Sequence, residues 1–320
     1  LRASEAGAQA RHRSLDRRTV LAGLAGGFAA LTLGAVARHA RAAAALTATP
    51  VAPGLTLLGG AGGNILVLTT DAGQVLIDGG AAAFRQSVSQ ALDALPGGRV
   101  AALFNTHWHP DQVGSNVALG AGGAAIYAHA KTRQRLSTGY YLPTEDRYQP
   151  PLAPSGRPTQ SFHTEGAVMI GNRRLEFGYL MEAHTDGDIY VFVPDFNVVA
   201  VGGVVSPVRD PEFDWFGGGW LGGRLDSLVR LLKLGDKNTR FVPSTGPIVG
   251  RAQVEAEQAM YSKLFDRMVE HVRLGESAKD MLKAGVLDGL GRKFEDPGAL
   301  LYDLYKGFWA HHNTLTHDIV

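Results

Sequence analysis

The sequence predicts an α/β fold, and three observations predict it. Short runs of β-branched and aliphatic residues, broken by Gly-Gly and Asp-Ala-Gly turns, start at Leu55. Stretches with apolar residues at helical spacing follow or separate them. Two clusters of His and Asp fall where predicted strands end.

A different kind of segment precedes this body. Arg17-Arg18 lead into a soft apolar run, roughly Val20 to Val36, and Ala40-Arg41-Ala42 places small residues around a cleavage point. A charged start, a short apolar stretch and a small-x-small site are the parts of a secretory signal. The paired arginines are similar to a twin-arginine export signal. The rival reading is a membrane anchor, but the run is short, diluted by Gly and Ala, and closed by Arg38 and Arg41. Residues 1–42 are therefore expected to be a cleaved signal. The mature protein is expected to be periplasmic or otherwise exported, with no membrane partner.

In the body, Leu55–Leu58, Asn64–Thr69 and Gln74–Asp78 read as strands of a meander. Ala83–Leu95 has helical spacing and stops at Pro96-Gly97-Gly98. Val100–Asn105 is an apolar strand, followed by a helix from about Val113, strand Ala124–Ala128 and helix Lys131–Leu136. Residues 137–163 hold five prolines and no clear period, so they read as one long loop, the usual signature of a functional loop. Strands resume at Ala167–Ile170, Arg174–Tyr179, Ile189–Val193 and Val198–Val201. Leu221–Leu234 is a predicted helix and Thr239–Val242 a last strand. Helical spacing then runs from Arg251 to about Ala284 and again over Ala299–His311. The expected organisation is a signal (1–42), one α/β domain (43–250) and a helical extension (251–320) packed on it.

Composition narrows the chemistry. The 320 residues include no cysteine, which excludes disulfides, thiolate metal sites and a cysteine nucleophile. Seven arginines against two acids in residues 1–42 account for the basic balance, and the remainder is mildly acidic without a basic stripe. Nucleic acid is thus not expected as a partner. A small molecule is, and a homodimer through the C-terminal helices is left open.

His107-x-His109-x-Asp111 follows directly on a predicted strand. Alternate residues of an extended segment point the same way, so the three side chains converge. Two imidazoles and a carboxylate suit Zn²⁺ or Fe²⁺. His184-Thr185-Asp186-Gly187-Asp188 stands at a second strand end, before Ile189–Val193. Asp186 and Asp188 read as supports for a ligating histidine. His129, His163 and His271 read as packing or surface residues, and His311, His312 and His317 as a tail. Phe213 to Trp220 is an aromatic, Gly-rich segment. Trp215 and Trp220, with Tyr140 and Tyr141, are candidate walls of an apolar substrate pocket, with ordinary packing against the following helix as the equal alternative for the tryptophan segment.

The two histidine motifs in this order, in a body opening with Val75-Leu76-Ile77-Asp78-Gly79-Gly80, resemble the metallo-β-lactamase superfamily over roughly residues 50–250. The resemblance implies a four-layer αββα sandwich with metal at one edge of two sheets. It implies His107, His109 and His184 as the first metal site, with Asp111 as the retained acid of the second. Asp78, in the Asp-Gly-Gly turn, is expected to fix a loop rather than touch metal. Three further second-site positions depart from the family pattern: Gln112, Gly203 and Thr245 stand where it has a histidine, a bridging acid and a histidine. The expectation is one metal per chain, Zn²⁺ before Fe²⁺, with Asp111 acting on water in the hydrolysis of a small ester, lactone, lactam or similar substrate. The alternatives are a non-catalytic metal- or ligand-binding protein and, further off, a mononuclear iron oxidoreductase.

Overall fold

The computed structural model describes residues 46–142 and 146–316. The expected signal over 1–42 lies outside them. Among the described residues no helix is long and apolar enough to cross a membrane.

Two sheets form the centre. The first contains β1 (Thr47–Ala52), β2 (Leu55–Gly59), β3 (Ile65–Thr70), β4 (Gly73–Ile77), β5 (Val100–Phe104), β6 (Ala125–His129) and β9 (Gln160–Phe162), side by side in that order. The second runs β10 (Glu165–Ile170), β11 (Arg173–Tyr179), β12 (Ile189–Val193), β13 (Val198–Gly202), β14 (Arg240–Pro243) and β15 (Val249–Gly250). A separate hairpin pairs β7 (Tyr140–Leu142) with β8 (Arg147–Gln149).

Strand periodicity sorts the side chains into layers. Leu66, Leu68, Val75, Ile77 and Phe104 meet Leu175, Val191, Val198 and Ala200 between the sheets. The intervening Val67, Leu76 and Leu103 face the other way, onto Val88 and Leu92 of helix α1 (Arg85–Asp93). Across the molecule, Val199, Val201 and Phe241 turn outward from the second sheet. They pack on α5 (Leu221–Leu231), α6 (Arg251–Arg273), α7 (Ala278–Lys283) and α8 (Pro297–Thr316) through Leu228, Leu264, Met281 and Leu301. Strands buried on both faces between helical layers make this an αββα sandwich.

Several local expectations need correction. The stretch 137–163 is not one loop, because it contains the β7–β8 hairpin and β9, which pairs in parallel with β6. Three-residue strands leave too few positions for a period to show. The helix expected from Val113 starts at Pro110 as α2 (Pro110–Val113), since proline fits the first helical position where its missing N–H costs nothing. It is followed by α3 (Asn116–Ala121) and, after β6, by α4 (Ala130–Thr138). The helix read over 251–284 is broken in two. Gly275 takes a left-handed φ of 74°, and Ser277 and Asp280 form a reciprocal cap that starts α7. Strand β1 was not foreseen, being exposed along most of its length.

Because one core joins the second sheet to α5–α8, Leu264→Ala is expected to destabilise the chain by about 2–5 kcal/mol. Urea unfolding should show this as a single transition moved to lower denaturant; loss of the helices in a separate early step would contradict a shared core.

Candidate metal centre

The segment after β5 carries the first two histidines on one side and Trp108 on the other. Trp108 is buried and pinned: its Nε1 donates to Asp186 Oδ1 at 3.0 Å, Tyr140 donates its hydroxyl to the Trp108 carbonyl at 3.1 Å, and Arg135 lies 5.1 Å over the ring. With the tryptophan held, His107 and His109 are driven to the opposite face. His184 reaches the same point from the turn between β11 and β12. Asp188 builds that turn, with Oδ2 accepting from the backbone N–H of His184 (2.6 Å) and Thr185 (2.8 Å). Glu182, two residues before the ligand, sits in the left-handed region at φ 49°.

The three imidazoles are buried and mutually edge-on, with centroids 4.7–4.9 Å apart. One nitrogen from each lies within 4.8 Å of the others, and among the described residues this is the group of His, Asp and Glu side chains able to hold a metal. The remaining nitrogens decide which atoms face inward. His184 Nδ1 is 3.0 Å from the Glu212 carbonyl, which only accepts, so that nitrogen carries the hydrogen and Nε2 keeps its lone pair. His109 Nε2 is 3.0 Å from Asp214 Oδ2, which leaves Nδ1 facing inward. Thr106 donates its hydroxyl to Asp78 Oδ2 (2.8 Å) and lies 3.0 Å from His107 Nδ1, turning Nε2 of His107 inward. His109 Nδ1 and His184 Nε2 then stand 3.0 Å apart with lone pairs toward each other. Only a proton or a cation between them relieves that repulsion. Three neutral nitrogen donors with a fourth side open suit a tetrahedral divalent ion such as Zn²⁺.

Charge effects agree with this arrangement. Burial holds His107 well below the ordinary imidazole value, helped by the charges of His184 and His109. Burial also lowers His184, with His109 adding to it. Burial acts downward on His109 as well, but the bond to Asp214 and the charges of Glu212, Asp214 and Asp111 overcome it and push it up to about 9. Burial acts upward on Asp214, but its bond to His109, the charges of His109 and His184 and the Gly217 N–H together hold it below the usual carboxylate range. Asp78 is pushed up to about 8 by burial, against the two bonds from Thr106.

The other predicted residues divide. Asp111, from the first turn of α2, lines a cavity of about 570 Å³ with His109 and Glu212. Burial raises its carboxyl. Gln112 is fully buried, and its amide donates to Asp111 Oδ2 at 2.7 Å. A Cβ at Gly203 would stand 2.4 Å from His184 Cδ2, so the backbone at that position lies flat against the ligand ring. Thr245 lies in a turn whose flanking carbonyls, Pro243 and Gly246, accept from Asn64. Asp78 fixes the loop at Thr106, as expected, through the backbone N–H and the hydroxyl. Asp188 supports His184 through its backbone rather than its ring.

The aromatic candidates do not share one cavity. Tyr140 lines the 570 Å³ cavity, but Trp220 lines a different one and stacks on His311 at 3.7 Å. Trp215 borders that second cavity and a small one beside Asp303, whereas Tyr141 stays at the surface, 5.8 Å from Phe216. His311 is therefore a packing residue, not part of a stray tail, and it also pairs with Glu182 at 3.3 Å. His129 stacks on Tyr179 at 3.9 Å, a structural role.

Sequence reading missed the groups that orient the rings. Asp214 is 105 residues from His109, and no spacing connects them. Its only sequence signal is a carboxylate set among aromatics and glycines close to the expected metal mouth. The Glu212 carbonyl carries no side-chain signal at all. Arg224 was also unseen: fully buried, it donates to the Gly203 and Glu212 carbonyls, both at 2.8 Å, and lies 4.2 Å over Phe213.

Comparison with known proteins follows the same lines. A family model described as the metallo-beta-lactamase superfamily matches residues 58–244. A metallo-beta-lactamase type 2 of Bacillus sp. (strain 170) is 24% identical over 186 residues, 58% of this chain and 67% of that protein. A metallo-beta-lactamase from Pontibacter korlensis superposes with a TM-score of 0.54 at 20% identity, over 68% of this chain and 99% of its own. A stereoselective inverting sec-alkylsulfatase from Pseudomonas sp. reaches a TM-score of 0.62 at 15% identity, covering 83% of this chain and 50% of its own. At these identities the solved structures speak to the fold.

Two outcomes are expected from the geometry. Asp214→Asn should weaken zinc binding by about 10- to 100-fold, as loss of a partner that orients a ligand does, read by competition with a chromogenic chelator. Asp78 tests the electrostatics. Its folded pKa lies above the unfolded value, so the folded chain binds more protons between about pH 4 and 8, and stability falls as pH rises through that window. Asp78→Asn, which keeps an acceptor for the Thr106 N–H, is expected to flatten that part of the profile in urea unfolding of metal-free protein.

Proposed function

Because the chain belongs to the metallo-beta-lactamase superfamily, we propose that it is a hydrolase of a small ester, lactone, lactam or similar substrate, dependent on one zinc ion held by His107, His109 and His184. The observation that carries this reading is the convergence of three inward lone pairs beside a cavity whose wall also holds Asp111. The related proteins, lactamases and an alkylsulfatase, bear the names of hydrolases.

A divalent ion held by His107, His109 and His184 would supply Lewis acidity and lower the pKa of a nearby water. The chain supplies the rest. Asp111 stands beside His109 in the cavity wall with Oδ2 held by the Gln112 amide, placed to orient a water and accept its proton. The apolar side chains of Val113, Val117, Leu136 and Leu152 give the substrate body a dry wall. Asp214, Thr106 and the Glu212 carbonyl keep the rings in the tautomers that present lone pairs to the ion.

Three features support one metal over two. The Gln112 amide is turned to Asp111, the backbone at Gly203 lies against the His184 ring, and Thr245 offers a neutral oxygen.

Metal analysis should find one zinc per mature chain, and a panel of esters, lactones and lactams should reveal turnover. His184→Ala should abolish both. Asp111→Asn should keep the zinc and lower kcat by about 10²- to 10⁴-fold. Bound zinc with no turnover across the panel would favour a non-catalytic binding role. Iron with oxygen uptake would favour redox chemistry, and two tightly bound zincs would overturn the single-metal reading.

A further inference from the structure

The C-terminal helix α8 lies beyond the stretch that the superfamily model matches, yet it touches the loop carrying Asp214 at several points. Asp214 is set by its neighbours on one side. Its backbone N–H donates to the His184 carbonyl at 3.0 Å, and its Oδ1 accepts from the Gly217 N–H at 2.7 Å. On the other side the next residue, Trp215, shares the wall of one small cavity with Asp303 of α8, and its indole N–H acts to lower that carboxyl. One turn on, Lys306 places its ammonium 5.0 Å over the Trp215 ring. Gly307 brings the helix backbone close: a Cβ there would stand 3.3 Å from the Gly219 carbonyl. Further along, His311 stacks on Trp220, whose backbone N–H donates to the Glu182 carbonyl at 3.0 Å. The helix thus grips both ends of the loop 214–220, and through Glu182 it also reaches the turn that presents His184.

We propose that α8 is a working part of the metal centre, with Asp303 a positioning residue that acts through Trp215 to hold Asp214 where it orients His109. This rests on the reading that the three histidines bind a metal. An indole that donates a hydrogen bond at its edge and receives a cation on its face is fixed in both tilt and rotation. The carboxylate one residue earlier inherits that fixity. A loop rich in glycine (Gly217, Gly218, Gly219) has little stiffness of its own to substitute for it.

The test uses the full mature chain. Trp215→Phe removes the N–H and keeps the ring, Asp303→Ala removes the acceptor, and Asp303→Asn keeps one. Trp215→Phe and Asp303→Ala should each weaken zinc binding by about 5- to 10-fold, below the effect of losing a direct orienting partner. They should also shift the visible spectrum of the cobalt-substituted protein, while the melting temperature of the metal-free protein stays near wild type. Asp303→Asn should restore most of the affinity. In an Asp214→Asn background Asp303→Ala should add nothing, because the route is already cut. Asp303→Ala with wild-type zinc affinity and cobalt spectrum would overturn the proposal, as would an undiminished effect in the Asp214→Asn background. A wild-type chain that takes up no zinc would overturn the three-histidine reading itself, and this inference with it.

Discussion

The structure depends on one constraint: three buried imidazoles must each turn a lone pair to the same point. Burial makes the charged form of each ring costly, and the rings are close enough that a charge on one disfavours charge on the next. The fold meets this by occupying the outer nitrogen of every ring with a fixed partner, and the partner types differ. His184 has a carbonyl, His107 a hydroxyl backed by a carboxylate, and His109 a carboxylate directly. Only the last carries full charge to the ring. That is why His109 alone is raised, and why it holds the proton when no cation is present.

The same constraint explains the crowded backbone around His184. Arg224 sits beneath the site with no exposure and ties the Gly203 and Glu212 carbonyls together. The Glu212 carbonyl therefore serves the guanidinium and His184 Nδ1 at once. A buried guanidinium is costly unless its donors are used, and here carbonyls and the faces of Phe213 and Tyr261 receive it. Its charge disfavours a protonated His184. It also adds positive charge on the side of the site where Gly203 offers no carboxylate to balance a second cation.

The layers of the fold were legible because doubly buried strands such as Ile65–Thr70 and Val198–Gly202 are short, near-continuous apolar runs bounded by turn residues. The ligands were legible for a related reason: His107 and His109 share a face in an extended segment, and His184 begins a compact turn motif. What the sequence did not disclose are contacts made by three-dimensional proximity alone. Asp214 reaches His109 across 105 residues, and the Glu212 partner is a backbone atom common to every residue. Trp220 misled for the same reason. Aromatic residues near a predicted mouth fit a pocket wall and a helix-packing surface equally well, and only the position of α8 decides between them.

The supports are also unequal in origin, and that has a mechanical consequence. Thr106 is adjacent to His107 and moves with it, so that ligand is positioned locally by the end of β5. His184 and His109 instead draw their partners from the 212–214 loop, which leaves β13 and has no strand or helix of its own until α5. Two of three ligands thus depend on a segment whose order must come from outside. The Asp186–Gly217 and His184–Asp214 backbone bonds supply part of it, tying the loop to the turn it serves. The turn is also tied through Asp186 to Trp108 and Arg135, and the loop through the Glu212 carbonyl to Arg224 and through buried Phe213 to the core. Helix α8 adds a brace that touches both, through Lys306 over Trp215 on one side and His311 beside Glu182 on the other. The helix is itself anchored by Leu300, Leu301 and Leu304 in the core under the second sheet. The geometry of the three-histidine site is therefore referred back to the packed core by several routes, the C-terminal helix among them.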